Sequence, residues 1–212
     1  MADLWMEFSK VAFAHLVAVA SPGPDFALVL RQSLVHGRRT ALWTSLGVGT
    51  GVMVHAAYSV LGFGLLLRSS ETWFQTVKFA GAAYIAWLGI QSLRARPRDG
   101  AEVEAISATT AFTRESNAFT RGFLTNALNP KATLFFLSLY LIIVDARTPK
   151  IVQAGYGLWM AVATAVWFAC VSIVFTHAPI RRRFLRQGHW IDRLMGVVFL
   201  ALAASLVRAS LN

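Results

Sequence analysis

Long apolar stretches alternate with short polar or basic connectors along almost the whole chain. The apolar stretches fall at about 8–30, 41–67, 73–93, 119–144, 151–177 and 190–207. A helix needs roughly 20 predominantly apolar residues to cross the hydrocarbon core of a bilayer. Each stretch is close to that length or longer, so the pattern predicts an all-α integral membrane protein with six transmembrane helices. Composition agrees. The 212 residues are 56% hydrophobic and only 14% charged, and the mean hydropathy is +0.55. A soluble domain carries about 25% charged residues to solvate its surface.

The connectors differ in charge. The first holds Arg31, Arg38 and Arg39; the third holds Arg94, Arg96, Arg98, Arg114 and Arg121; the fifth holds Arg181, Arg182, Arg183, Arg186 and Arg193. The second has only Arg68 and Lys78, and the fourth only Arg147 and Lys150. Thirteen basic residues thus sit on the odd connectors and four on the even ones. Basic connectors stay on the cytoplasmic side, so both termini are expected on the outer side of the membrane. The same distribution explains the net charge of +10 without nucleic acid as a partner. Trp43, Trp73, Trp159 and Trp190 fall near the ends of the stretches, where aromatic belts are expected.

Two alternatives for the ends of the chain's chemistry are set aside by simple features. The single cysteine, Cys170, cannot form a CxxC redox pair. Ala18-Val19-Ala20 looks like a signal-peptide cleavage site, but the preceding segment holds Asp3 and Glu7 against Lys10. A signal peptide needs a positive leading segment, so the first stretch is read as a retained helix.

The one sizeable hydrophilic segment, 94–118, is read as a cytoplasmic linker between two halves, 1–93 and 119–212. The halves resemble each other weakly. Ser21-Pro22 lies in the first stretch and Asn129-Pro130 in the fourth; Gly81–Ala86 in the third is similar to Gly196–Ala201 in the sixth. With three crossings each, the halves would enter the membrane in opposite senses, as two inverted three-helix repeats. Secondary transporters are often built so, with the site near the midplane.

Helices 1 and 4 are expected to be broken at their proline motifs. Ser21-Pro22-Gly23-Pro24-Asp25 places two prolines around a glycine, and a proline removes a backbone donor and clashes with the preceding turn. Ser-Pro and Asn-Pro also read as helix starts, a capping side chain followed by a first-turn proline. Asn129-Pro130-Lys131-Ala132 repeats the device. Irregular backbone at membrane depth is tolerated only where protein buries it or a wet cavity receives it. A helix N-terminus there offers donors and partial positive charge to an anion such as a carboxylate.

Asp25 follows the first break directly. A carboxylate inside a span is costly and by default functional; it suits a substrate ammonium, a coupling proton, or both. Lys131 is the matching group of the second break, suited to a pair with Asp25, to a substrate carboxylate, or to snorkelling towards the interface. His15 and His55 are expected to be neutral and bonded to backbone carbonyls, with a relay as the alternative. Gly47, Gly49 and Gly51 form a small-residue stripe suited to close helix packing, or to giving a substrate room. No catalytic constellation and no cofactor motif is visible. With Asp25 as the only carboxylate placed clearly within the membrane, hard oxygen ligands for a divalent metal are lacking.

Ser-Pro-Gly-Pro-Asp at 21–25, Asn-Pro-Lys-Ala at 129–132 and the glycine-rich second stretch resemble the LysE/RhtB family of amino acid exporters over nearly the whole chain. Ser21 stands where many members have Asn. The resemblance implies an inner-membrane exporter of amino acids driven by the proton gradient. It implies that Asp25 matches the family's acidic position and that Asn129 and Pro130 match its second proline motif. The expected function is therefore secondary active, proton-coupled export of amino acids or related small metabolites. Membrane lipid, substrate and protons are its partners, and a homo-oligomer is compatible with it. The alternative is a membrane-embedded assembly or sensor subunit that moves nothing.

Overall fold

The computed structural model describes residues 2–21, 23–69, 71–96, 115–145 and 147–175, and part of the segment 187–207. Pro22 and most of the 94–118 linker lie outside the described residues. Seven helices are delimited among the described residues: α1 (Ala2–Ala20), α2 (Pro24–Val35), α3 (Arg38–Ser69), α4 (Glu71–Leu93), α5 (Glu115–Ala127), α6 (Pro130–Ile143) and α7 (Lys150–Val174). The described residues of 187–207 are helical as well.

The first and fourth apolar stretches are each two helices. Leu4–Ala20 and Pro24–Val35 meet at 53°, and Asn117–Ala127 and Pro130–Ile143 meet at 56°. With each bent pair taken as one span, three spans satisfy the length and apolarity of a crossing, α7 being the third. Six crossings are thus more than these elements establish by themselves. The second and third stretches correspond to α3 and α4, and the sixth to the partly described 187–207.

Local chemistry accounts for the boundaries. Pro24 and Pro130 occupy the first turns of α2 and α6, where a missing N–H costs no intrahelical bond. At the end of α2, the His36 N–H bonds to the Gln32 carbonyl at 3.0 Å. Gly37 then takes a φ of 83°, a left-handed conformation that glycine adopts without a steric penalty. The chain reverses there into α3.

Contacts between helices fix their directions. His15 of α1 reaches Met160 and Thr164 of α7, while Phe8 packs on Tyr156 and Trp159; α1 and α7 therefore run parallel. Ser45 of α3 meets Ser172 at 3.1 Å, whereas Ala56 lies against Gly157, so α3 and α7 are antiparallel. Gly89 of α4 lies against Gly196 and Leu200, and Leu93 lies against Gly196. Thr44 lies against Gly122 and His55 bonds to Asn126, so α3 and α5 are parallel.

The ends sort accordingly. Ser33 near the end of α2 donates to the Ser172 carbonyl at 2.9 Å, which joins the α2–α3 connector to the end of α7. At the other end, Glu7 accepts from the Asp145 N–H at 2.8 Å and from the Thr148 hydroxyl at 3.1 Å. The start of α1 and the α6–α7 connector therefore share one end of the bundle.

α3 is the central element. A methyl group at Gly47 would collide with the Phe119 carbonyl oxygen and come to 2.8 Å from the Phe123 nitrogen. One at Gly51 would come to 2.8 Å from Asn126, and one at Gly49 to 2.7 Å from the Ala165 side chain of α7. The stripe therefore serves two faces. Gly47 and Gly51, one turn apart, seat α5, and Gly49 seats α7.

Candidate functional site

The two breaks face each other across a cavity of about 70 Å³. That holds several waters, at roughly 10–15 Å³ each. Ser21, Asp25, Asn126, Asn129 and Lys131 bring polar groups to its lining; Phe26, Phe135, Phe136 and Phe168 give it apolar walls.

At the second break the expected cap is present. Asn129 is extended, and its side-chain oxygen accepts from the Lys131 N–H at 3.0 Å. Its amide nitrogen remains to donate and points to Asp25 Oδ2 at 3.4 Å. At the first break the cap is displaced from where the sequence suggests. Gly23, not Ser21, is the N-cap of α2, with no side-chain cap bond, and Pro24 takes the proline position. The Ser21 hydroxyl is used elsewhere: it accepts from Lys131 Nζ at 3.2 Å and donates to Asp192 Oδ1 at 3.1 Å.

Asp25 lies in the first turn of α2, where the helix dipole favours a carboxylate. Its Oδ2 accepts from Asn126 Nδ2 at 2.9 Å as well as from Asn129. Its Oδ1 is buried without a hydrogen-bond partner. A buried carboxylate oxygen left unsatisfied is costly, so the cavity beside it is a natural place for a donor to enter.

The histidines bond as a neutral ring would. His55 Nε2 is 2.8 Å from the Asn126 carbonyl and Nδ1 is 2.6 Å from the Tyr58 hydroxyl. One proton on Nε2 satisfies both, since Tyr58 then donates to Nδ1. The His55 ring also stacks on Phe136, with centroids 5.4 Å apart. His15 Nε2 is 3.1 Å from the Met160 carbonyl and 2.9 Å from the Thr164 hydroxyl; its Nδ1 is buried without a partner. His15 lines the cavity and His55 stands behind Asn126. Gly51 abuts Asn126, whereas Gly47 packs against Phe119 away from the cavity. Pro22 lies outside the described residues.

Two residues that the apolar pattern hides belong to this constellation. Asn126 sits one turn before Asn129, and residues three apart share a helix face; that spacing was the available signal. Asp192 is only 6% exposed and is tied to Ser21. Asp25 is therefore not the only carboxylate near the site, and Asp192 is the more deeply buried of the two. Asp192 is inconspicuous in sequence because Arg193 and the basic connector adjoin it, which suggests a surface position. Among the described residues no group of His, Cys, Asp or Glu could hold a metal ion.

An all-helical membrane protein whose two interrupted spans bring polar groups to one shared, largely apolar cavity is the class these features define. The LysE type translocator family matches residues 16–210, and the chain belongs to that family, whose members are transporters of the inner membrane and not enzymes. The chain is 32% identical over 202 residues to the threonine efflux protein of Escherichia coli (strain K12), covering 95% of this chain and 98% of that protein. It is 28% identical over 194 residues to the leucine efflux protein of Klebsiella pneumoniae subsp. pneumoniae, covering 87% of each. It is 28% identical over 207 residues to the homoserine/homoserine lactone efflux protein of Salmonella typhimurium, covering 93% of this chain and 96% of that protein. No solved structure matches the chain.

Proposed function

We propose that this chain is a secondary active exporter of amino acids or related small metabolites, driven by protons across the cytoplasmic membrane. One observation carries the reading: two half-helix starts, one with a carboxylate and one with an amine in its first turn, meet at one cavity. A zwitterion needs both. The free Oδ1 of Asp25 takes the ammonium or, between cycles, a proton. Lys131, with the first-turn N–H groups, takes the carboxylate. The phenylalanine walls take the side chain. The relatives named as efflux proteins for threonine, leucine and homoserine support the substrate class.

Alternating access follows from two inverted halves, 1–93 and 119–212, joined by the 94–118 linker and making six crossings. The similar bends of 53° and 56° support this, as do the directions of the packed helices: α1 parallel to α7, and α3 antiparallel to it. The connector ends support an orientation with both termini outside, since the α2–α3 connector and the end of α7 share the face that carries Arg38 and Arg39. Rocking of one half against the other then exposes the same cavity to each side in turn.

The test is expression in an amino-acid-sensitive bacterial host, with extracellular amino acids measured, followed by efflux from vesicles under an imposed proton gradient. One or more amino acids rise in the medium, and dissipating the gradient slows their efflux. No rise for any amino acid would sink the exporter reading, and efflux indifferent to the gradient would remove the coupling.

A further inference from the structure

Asp192 is buried at 6% exposure, yet it does not line the cavity. It stands one hydroxyl behind it. Ser21 Oγ donates to Asp192 Oδ1 at 3.1 Å and accepts from Lys131 Nζ at 3.2 Å, while Ser21 and Lys131 both line the cavity. The chain Lys131–Ser21–Asp192 thus joins three segments: the start of α6, the end of α1 and the region after α7. A buried carboxylate is retained at a cost unless positive charge and donors offset it. The Ser21 hydroxyl bridges it to the Lys131 ammonium, transmitting the attraction as donor and acceptor at once.

We infer that Asp192 is a positioning residue of the carboxylate subsite: an internal counter-ion that holds Lys131 on Ser21 while the site is empty and competes with the arriving carboxylate. This rests on the reading of the cavity as an amino acid site. The substrate carboxylate approaches Lys131 from the cavity side, and Asp192 opposes it from behind. The competition weakens retention of the carboxylate and speeds its release. It also ties occupancy to the contact between the end of α1 and the C-terminal segment, which the empty site closes and the loaded site loosens.

Efflux kinetics in reconstituted vesicles test this, with Asp192→Asn and Ser21→Ala compared to wild type on an amino acid and on its amide, which lacks the carboxylate. Removing the competing charge in Asp192→Asn lowers KM for the amino acid about fivefold and Vmax about tenfold, with KM for the amide unchanged. Ser21→Ala moves both parameters in the same directions and carries the test if Asp192→Asn does not fold. An unchanged or raised KM in the folded variants overturns the assignment, because a merely structural carboxylate lowers Vmax or protein yield without tightening the carboxylate end. Equal effects on acid and amide overturn it too. Wild-type vesicles that show no saturable amino acid efflux overturn this inference together with the exporter reading, whereas wild-type efflux with unaltered variants overturns this inference alone.

Discussion

The two breaks use one device with opposite chemistry. Both start a half-helix with proline in its first turn, and both turn the chain by a similar angle. The second is self-sufficient: Asn129 caps α6 with its own side chain, and the break carries an amine. The first has a glycine for a cap with no side-chain bond, and it carries a carboxylate. Its polar side chains find partners around the second break, Oδ2 of Asp25 in Asn126 and Asn129, and Ser21 in Lys131. The first break is thus held in place by the second. On the proposed reading, two equal breaks would offer the same sign of charge to both ends of a zwitterion, and two unequal ones would give it a direction.

The largest expected effect breaks this asymmetry at its charged end. Asp25→Asn keeps the shape and removes the carboxylate, and Vmax/KM in vesicles falls about a hundredfold with its pH dependence lost. Wild-type rate and pH profile in that variant would leave Asp25 without a role. Next comes the scaffold that brings the breaks together. Gly47→Ala drives a methyl group into the Phe119 carbonyl, and overpacking of this kind costs about 1–3 kcal/mol; the thermal midpoint of the purified protein drops accordingly. The caps themselves sharpen the comparison. Asn129→Ala loses a side-chain cap worth about 1 kcal/mol. Gly23→Ala loses none and meets nothing closer than 3.9 Å, so its melt shifts less than that of Asn129→Ala. Equal shifts would mean that the two starts are built alike.

The smallest effect lies outside the spans. The Arg147 guanidinium beside Asp145, at 3.2 Å, holds that carboxyl below the usual carboxylate range. A lowered native pKa gives stability above the ordinary aspartate value that fades as pH falls through the native one. The pair is exposed, with Arg147 at 91%, so screening leaves little of it. Arg147→Ala melts with wild type at pH 7, and any difference there beyond measurement error would show that the connector is coupled to the core.

The fold and the site were legible in the sequence to different degrees. Apolar length located α3, α4 and α7, and the prolines located both breaks, because a missing N–H acts locally and leaves the same mark in any context. Asn129 as a cap was legible for the same reason. Ser21 was not, although Ser-Pro is also a start signal. The choice of Gly23 instead depends on Lys131 and Asp192, 110 and 171 residues away, and no local rule sees them. Asn126 was missed because a polar residue just before a break reads as one more breaker. Asp192 was missed because an acid beside an arginine reads as surface. The glycine stripe was recognised as packing, but its division between α5 and α7 needed the tertiary arrangement.

That division has a mechanical meaning. Where backbone meets backbone with no side chain between them, as at Gly47 with Phe119 and Gly122 with Thr44, no knob has to leave a hole before one helix slips along its neighbour. Such seams favour shear, a small sliding of packed helices, over hinge opening. α3 carries one seam towards each of α5 and α7, so on the proposed two-half reading it would be the rail along which the first half travels while the contacts across the cavity change partners.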